Sequence, residues 1–116
     1  MIIKKGNAIE GACFSNCHDG EGELVWKPLL MQNESDMFLL MDYDLLKAGV
    51  SIGAHQHTHN EEIYYLLSGK GILTYDGEEI DMEAGDVSLC KIGSFHGFKA
   101  IDDSILIVVA SKNKEV

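Results

Sequence analysis

The chain has 116 residues, 46% of them apolar and 24% charged, a balance that fits one compact globular domain and leaves no room for two ordinary ones. Nine basic and nineteen acidic side chains give a formal net charge of -10. A chain so acidic lacks the cationic stripe that displaces counterions from phosphates, which argues against nucleic acid and against an anionic membrane surface as partners. All nine basic residues are lysines, so the bidentate guanidinium clamp for phosphates and carboxylates is missing as well.

In chain order, residues 1–6 carry two isoleucines and two lysines, but no apolar stretch follows, so no secretory leader is expected. Cys13, Cys17 and Cys90 are odd in number and have no framework spacing, which fits free thiols in a reducing, cytoplasmic setting. Cys13 and Cys17 precede His18 and Asp19, a weak candidate for a small metal site. No second ligand pair stands at finger spacing, and unremarkable thiols are the preferred reading. Residues 37–46 would pass for a short helix, yet their surroundings and the paired Asp42 and Asp44 favour a strand. Residues 63–67 are a β-rich stretch, and Asp76-Gly77 sits between 71–75 and 78–82 as a hairpin turn. Residues 105–110 are continuously apolar, the pattern of a strand covered on both faces. Twelve glycines against one proline, Pro28, punctuate the chain at strand-sized intervals, and no helical periodicity is sustained. The expected class is all-β, a sandwich or barrel.

The chemistry-bearing side chains are concentrated. Four of the five histidines are His55, His57, His59 and His96. In an extended strand, residues two apart point to one side, so His55 and His57 aim two imidazoles at one place. Glu62 opens the run 63–67, where a carboxylate is costly to bury without a cation or hydrogen-bond donors. His96 lies at a turn between Gly93 and Gly97. Three imidazoles and a carboxylate suit a first-row divalent ion, and no thiolate is needed. Glu61 as the carboxylate, and His59 in place of His55, remain open alternatives.

These residues resemble a known family. Gly49, five residues, His55-Gln56-His57, four residues, Glu62, six residues and Gly69 are similar to the first cupin motif, G-x5-H-x-H-x(3,4)-E-x6-G. Gly85, Gly93 and His96 stand at the spacings of the second, G-x5-P-x-G-x2-H-x3-N. Lys91 replaces the usual proline and Ala100 the usual asparagine; neither position is a ligand. The resemblance implies a single cupin domain over residues 1–116, folded as a double-stranded β-helix or jelly-roll barrel. Motif 1 covers 49–69 and motif 2 covers 85–100, with residues 1–30 as leading strands at a dimer interface. It further implies that His55, His57, Glu62 and His96 hold one divalent metal ion per chain, whether iron, manganese, zinc or nickel. Counting back six residues from Gly69 selects Glu62 over Glu61 and leaves His59 at the rim.

Related cupins include dioxygenases, decarboxylases, isomerases and lyases, so the resemblance implies a metal-dependent enzyme acting on a small oxygenated molecule. Capture of a small ligand without turnover is the alternative, and a purely structural barrel is the third reading. The absent arginines speak against phosphorylated sugars. Tyr64, Tyr65, Phe95 and Phe98 are read as barrel core, and Met31, Met37, Met41 and Met82 as packing residues. A barrel this small buries a limited share of its surface, and a homodimer is expected to supply further cover.

Overall fold

The computed structural model describes residues 1–114. Among the described residues, ten strands form two antiparallel sheets. In chain order they are β1 (Ala12–Ser15), β2 (Glu23–Leu30), β3 (Phe38–Leu46), β4 (Ser51–Gln56) and β5 (Glu62–Ser68), then β6 (Lys70–Tyr75), β7 (Glu78–Glu83), β8 (Val87–Cys90), β9 (Phe95–Ala100) and β10 (Ser104–Ser111). One sheet runs β1-β2-β3-β10-β5-β8 and the other β4-β9-β6-β7. Single 3-10 turns at Gly6–Ala8 and Cys17–Asp19 are the helical pieces among the described residues, and no helix is long and apolar enough to cross a membrane.

The sheets face each other over Leu24, Leu46, Tyr64, Leu66, Leu106 and Val108 on one side and Ile52, Leu73, Met82, Phe98 and Ala100 on the other. Period-two alternation drives this arrangement, with β5 and β10 burying every second residue. The expectation that residues 105–110 are covered on both faces is corrected here: Leu106, Val108 and Ala110 are buried, whereas Ile105, Ile107 and Val109 are half-exposed. Tyr64 and Phe98 belong to the core as expected, but Tyr65 and Phe95 point outward, as do Met31 and Met37.

The hairpin at Asp76-Gly77 forms as its sequence requires. Both residues have positive φ, 48° and 84°, the conformation that matches strand twist in a two-residue turn. This turn also reaches the second motif, because Phe95 N–H donates to Asp76 Oδ1 at 2.8 Å and Asp76 N–H to Phe95 O at 3.0 Å. Those bonds fix the entry of β9 one residue before His96. Lys91 in the proline position does not disturb the second motif, since Ser94 N–H still closes the turn onto Lys91 O at 3.0 Å. Ala100, in the asparagine position, is buried in the core cluster.

Candidate metal centre

His55 and His96 are direct cross-strand partners on β4 and β9. Glu62 is the first residue of β5, and His57 lies one residue beyond the end of β4. His55 and His57 therefore do not share one regular strand. The loop of His57 is instead tied to the loop before His96, with His57 N–H donating to Ser94 O at 3.0 Å and Gly93 N–H to His57 O at 2.6 Å. The two motifs thus meet through backbone hydrogen bonds. The ligand atoms of His55, His57, Glu62 and His96 all lie within 4.8 Å of one another, the one such cluster among the described residues.

Glu62 Oε1 is 3.0 Å from His96 Nε2, 3.4 Å from His57 Nε2 and 3.9 Å from His55 Nε2. His57 Nε2 and His96 Nε2 are 3.0 Å apart. Neighbouring ligands about 2.1 Å from an octahedral ion stand about 3.0 Å from each other, the spacing of His96 Nε2 to both Glu62 Oε1 and His57 Nε2.

The outer hydrogen bonds decide which nitrogen each ring presents. His55 Nδ1 donates to Gly53 O at 2.8 Å, which leaves its Nε2 with a lone pair; that atom is buried and has no hydrogen-bond partner. Asn60 Nδ2 donates to Ser111 O, so Asn60 presents Oδ1 to His57 Nδ1 at 2.9 Å. His57 is thereby held as the Nδ1–H tautomer, with Nε2 turned towards Glu62. Such carbonyl-oriented imidazoles are the usual support of metal-ligating histidine. Lone pairs converging on a carboxylate repel one another until a cation or a proton enters between them.

The proton affinities follow from this crowding. Burial alone would raise the Glu62 carboxyl, but the surrounding imidazoles, when their Nε2 atoms carry protons, outweigh it and hold the group well below the usual carboxylate range. Its hydrogen bond to Glu62 raises His57, while burial lowers His96. A proton taken up on His57 Nε2 would enter the gap that a metal would take, so the two compete.

Other predicted residues fall outside the cluster. His59 is exposed and its Nδ1 lies 2.8 Å from Thr58 Oγ1. Glu61 is half-exposed, and its backbone N–H donates to Ser111 Oγ. Cys13 is exposed and Cys17 half-buried, and no metal-holding group forms with Asp19.

His18, by contrast, belongs at the site, although spacing alone did not place it there. Its ring stacks on His55 with centroids 3.6 Å apart and planes inclined by 13°. It is carried by a contorted segment in which Asn16, His18 and Asp19 have φ of 51°, 49° and 62°. A side chain on Gly53 would collide with His18 O, and one on Gly20 with Ser51 O, so two glycines permit the close approach. Tyr64 supports the opposite quarter, stacked on His96 with centroids 4.1 Å apart. Asp42 and Asp44 also turn inward, Asp42 half-buried and Asp44 buried. The positive-φ stretch around a histidine and the glycines at 20 and 53 were the available signals for His18, but they link residues some 35 positions apart only once the fold is known.

The two sheets and the four-residue cluster define the class. A family model described as "Cupin domain" matches residues 43–111, more than half of the chain, and the protein belongs to that family. The oxalate-binding protein of Thermotoga maritima is 31% identical over 102 residues, covering 84% of this chain and 82% of that one. A crystal structure of a predicted oxalate decarboxylase from Thermotoga maritima superposes with a TM-score of 0.89 at 27% identity, covering 95% of this chain and 98% of the other. An RmlC-like cupin from Desulfovibrio desulfuricans gives a TM-score of 0.71 at 25% identity, with coverage of 95% and 97%.

Proposed function

We propose that this cupin binds one divalent first-row metal through His55, His57, Glu62 and His96 and uses it to capture a small oxygen-bearing molecule. The observation that carries the reading is the convergence of histidine Nε2 atoms on Glu62 Oε1, two of the rings oriented from behind by Gly53 and Asn60. Four protein ligands on a six-coordinate ion leave two adjacent or opposed positions for a ligand's oxygens. Metal charge is also what a ligand such as oxalate needs here, because the chain has no arginine to neutralise it. The Thermotoga relative named for oxalate binding makes oxalate the first probe.

We read the function as binding without turnover, in line with the Thermotoga relative named for oxalate binding. Calorimetric titration of manganese-loaded protein with oxalate should show binding that disappears after chelation of the metal. Metal-independent binding contradicts the proposal, and release of carbon dioxide from bound oxalate would make the protein an enzyme.

The outer face of the six-stranded sheet supports a homodimer. Its cross-strand rows read Val25–Leu45–Ile105, then Lys27–Tyr43–Ile107–Tyr65–Val87, then Met41–Val109–Ile63–Leu89. The one charge in these rows, Lys27, has its ammonium 5.4 Å from the centre of the Tyr43 ring. An apolar carpet of this breadth marks an interaction face, and a second copy offers the same predominantly apolar surface in return.

A further inference from the structure

The inner face of the six-stranded sheet contains a second set of polar groups that the metal cluster does not use. Trp26 and Asp44 are direct cross-strand partners, and Asp42 pairs with Pro28 on the same strands. On the other side Asp44 is flanked by Leu106 and Asp42 by Val108, both core residues. Asp44 is only 6% exposed, its Oδ1 has no hydrogen-bond partner, and neither aspartate takes part in an ion pair. Two carboxylates on a core-facing strand without a cation are an expensive arrangement.

They line a cavity of about 180 Å³ whose remaining walls are Phe14, Cys17, Leu24 and Trp26. A second cavity of about 270 Å³ adjoins it, sharing Trp26 and Asp42. The walls are aromatic and aliphatic, and the charge is confined to one side. Cys17, Asp42 and Asp44 do not bring their ligand atoms close enough to form a metal-holding group. A hydrated metal ion would also lose its water against apolar walls. An organic cation has the opposite requirements: a hydrophobic body, aromatic faces and a nearby negative charge.

We propose that the cavity bounded by Phe14, Cys17, Trp26, Asp42 and Asp44 is a binding site for a small organic ammonium ion. Trp26 and Phe14 pack against its alkyl groups, and the two carboxylates balance its charge. The neighbouring thiol agrees with this chemistry, since burial pushes Cys17 up to about 11 and keeps it uncharged. Burial likewise raises Asp44 to about 8 and Asp42 to about 6, the penalty that an entering cation relieves. None of the four metal ligands lines this cavity, although the Glu62 charge reaches Cys17, Asp42 and Asp44.

Choline and its uncharged isostere 3,3-dimethylbutan-1-ol test this directly. The two share shape and hydroxyl group, so any coordination to a bound metal cancels and only the charge differs. Calorimetry on the full-length, metal-loaded chain should show choline binding at least about tenfold more tightly than the alcohol. Asp42→Asn and Asp44→Asn should each weaken choline about tenfold, leave the alcohol unchanged and retain the full metal content. Should Asp44→Asn fail to fold, Asp42→Asn and Trp26→Leu carry the comparison. Equal affinity for the two probes, no binding of tetramethylammonium or choline, or choline affinity untouched by the substitutions would each overturn the proposal.

Discussion

Burial, then the charges of Asp42 and Glu62, raise the Asp44 carboxyl from 3.8 to about 8. A group whose folded pKa lies above its unfolded value contributes its full stability below the unfolded pKa and loses it as pH climbs towards the folded one. Between about pH 4 and pH 8, therefore, Asp44 makes the folded chain progressively less stable, by at most about 1.4 kcal/mol per pH unit. Asparagine in its place has no proton to lose. Asp44→Asn should raise stability over the natural protein at pH 8 by a few kcal/mol more than at pH 5, as read from urea unfolding at the two pH values. An identical difference at both would show that Asp44 is not held protonated by its surroundings. The four candidate ligands were legible at this scale because their spacing lies within two short motifs. Asp44 was not, because a carboxylate on a strand alternating with apolar residues reads the same whether it faces water or core. Only the pairing of β2, β3 and β10 shows that it turns inward.

Elements place the histidines, and one of the closest approaches among them is the contact of Cys17–Asp19 with β4. That contact depends on the bare backbone of Gly53, against which His18 O rests and over which the His18 ring reaches His55. Gly53→Ala inserts a methyl group where there is no space for it, so the 3-10 turn must lift or β4 must bend. The expected cost is about 1–3 kcal/mol of stability, together with weaker metal retention because Gly53 O also holds His55 Nδ1. Thermal unfolding and metal content, measured on the same variant, check both. Unchanged values would mean that the segment can shift freely. Strand positions were largely readable: the Asp76-Gly77 hairpin, β3 and β5 all follow from alternation and turn chemistry. The docking of 17–19 onto β4 was not, since its cause is the close passage of two backbones distant in sequence. The end of β4 before His57 was equally hidden, because the bonds to Gly93 and Ser94 that hold His57 come from the other motif.

At the scale of the whole molecule, one sheet face encloses the cluster and the other is an apolar surface. If two copies pair through that outer face, light scattering should give twice the 12.8 kDa chain mass. Tyr65→Lys adds a second cation to the middle row of the carpet, where Lys27 already stands, and should return the protein to monomers without loss of bound metal. A natural protein that is monomeric at all concentrations contradicts the interface. The apolar run at 105–110 suggested burial on both faces, and the single chain supplies cover on one. Sequence alone does not say whether the second layer comes from the same chain or from another.

If the two motifs meet to hold one metal ion, as proposed, that ion can be counted. Protein loaded with manganese at pH 7.5, desalted and subjected to elemental analysis should carry one ion per chain. Occupancy should fall steeply below about pH 6.5 as protons compete for the imidazoles. Alanine at His55, His57, Glu62 or His96 should empty the site, whereas His59→Ala and Glu61→Ala should leave it full. A full site in Glu62→Ala with an empty one in Glu61→Ala, or loss of metal on Cys17→Ala while the four ligand variants retain it, would contradict the account.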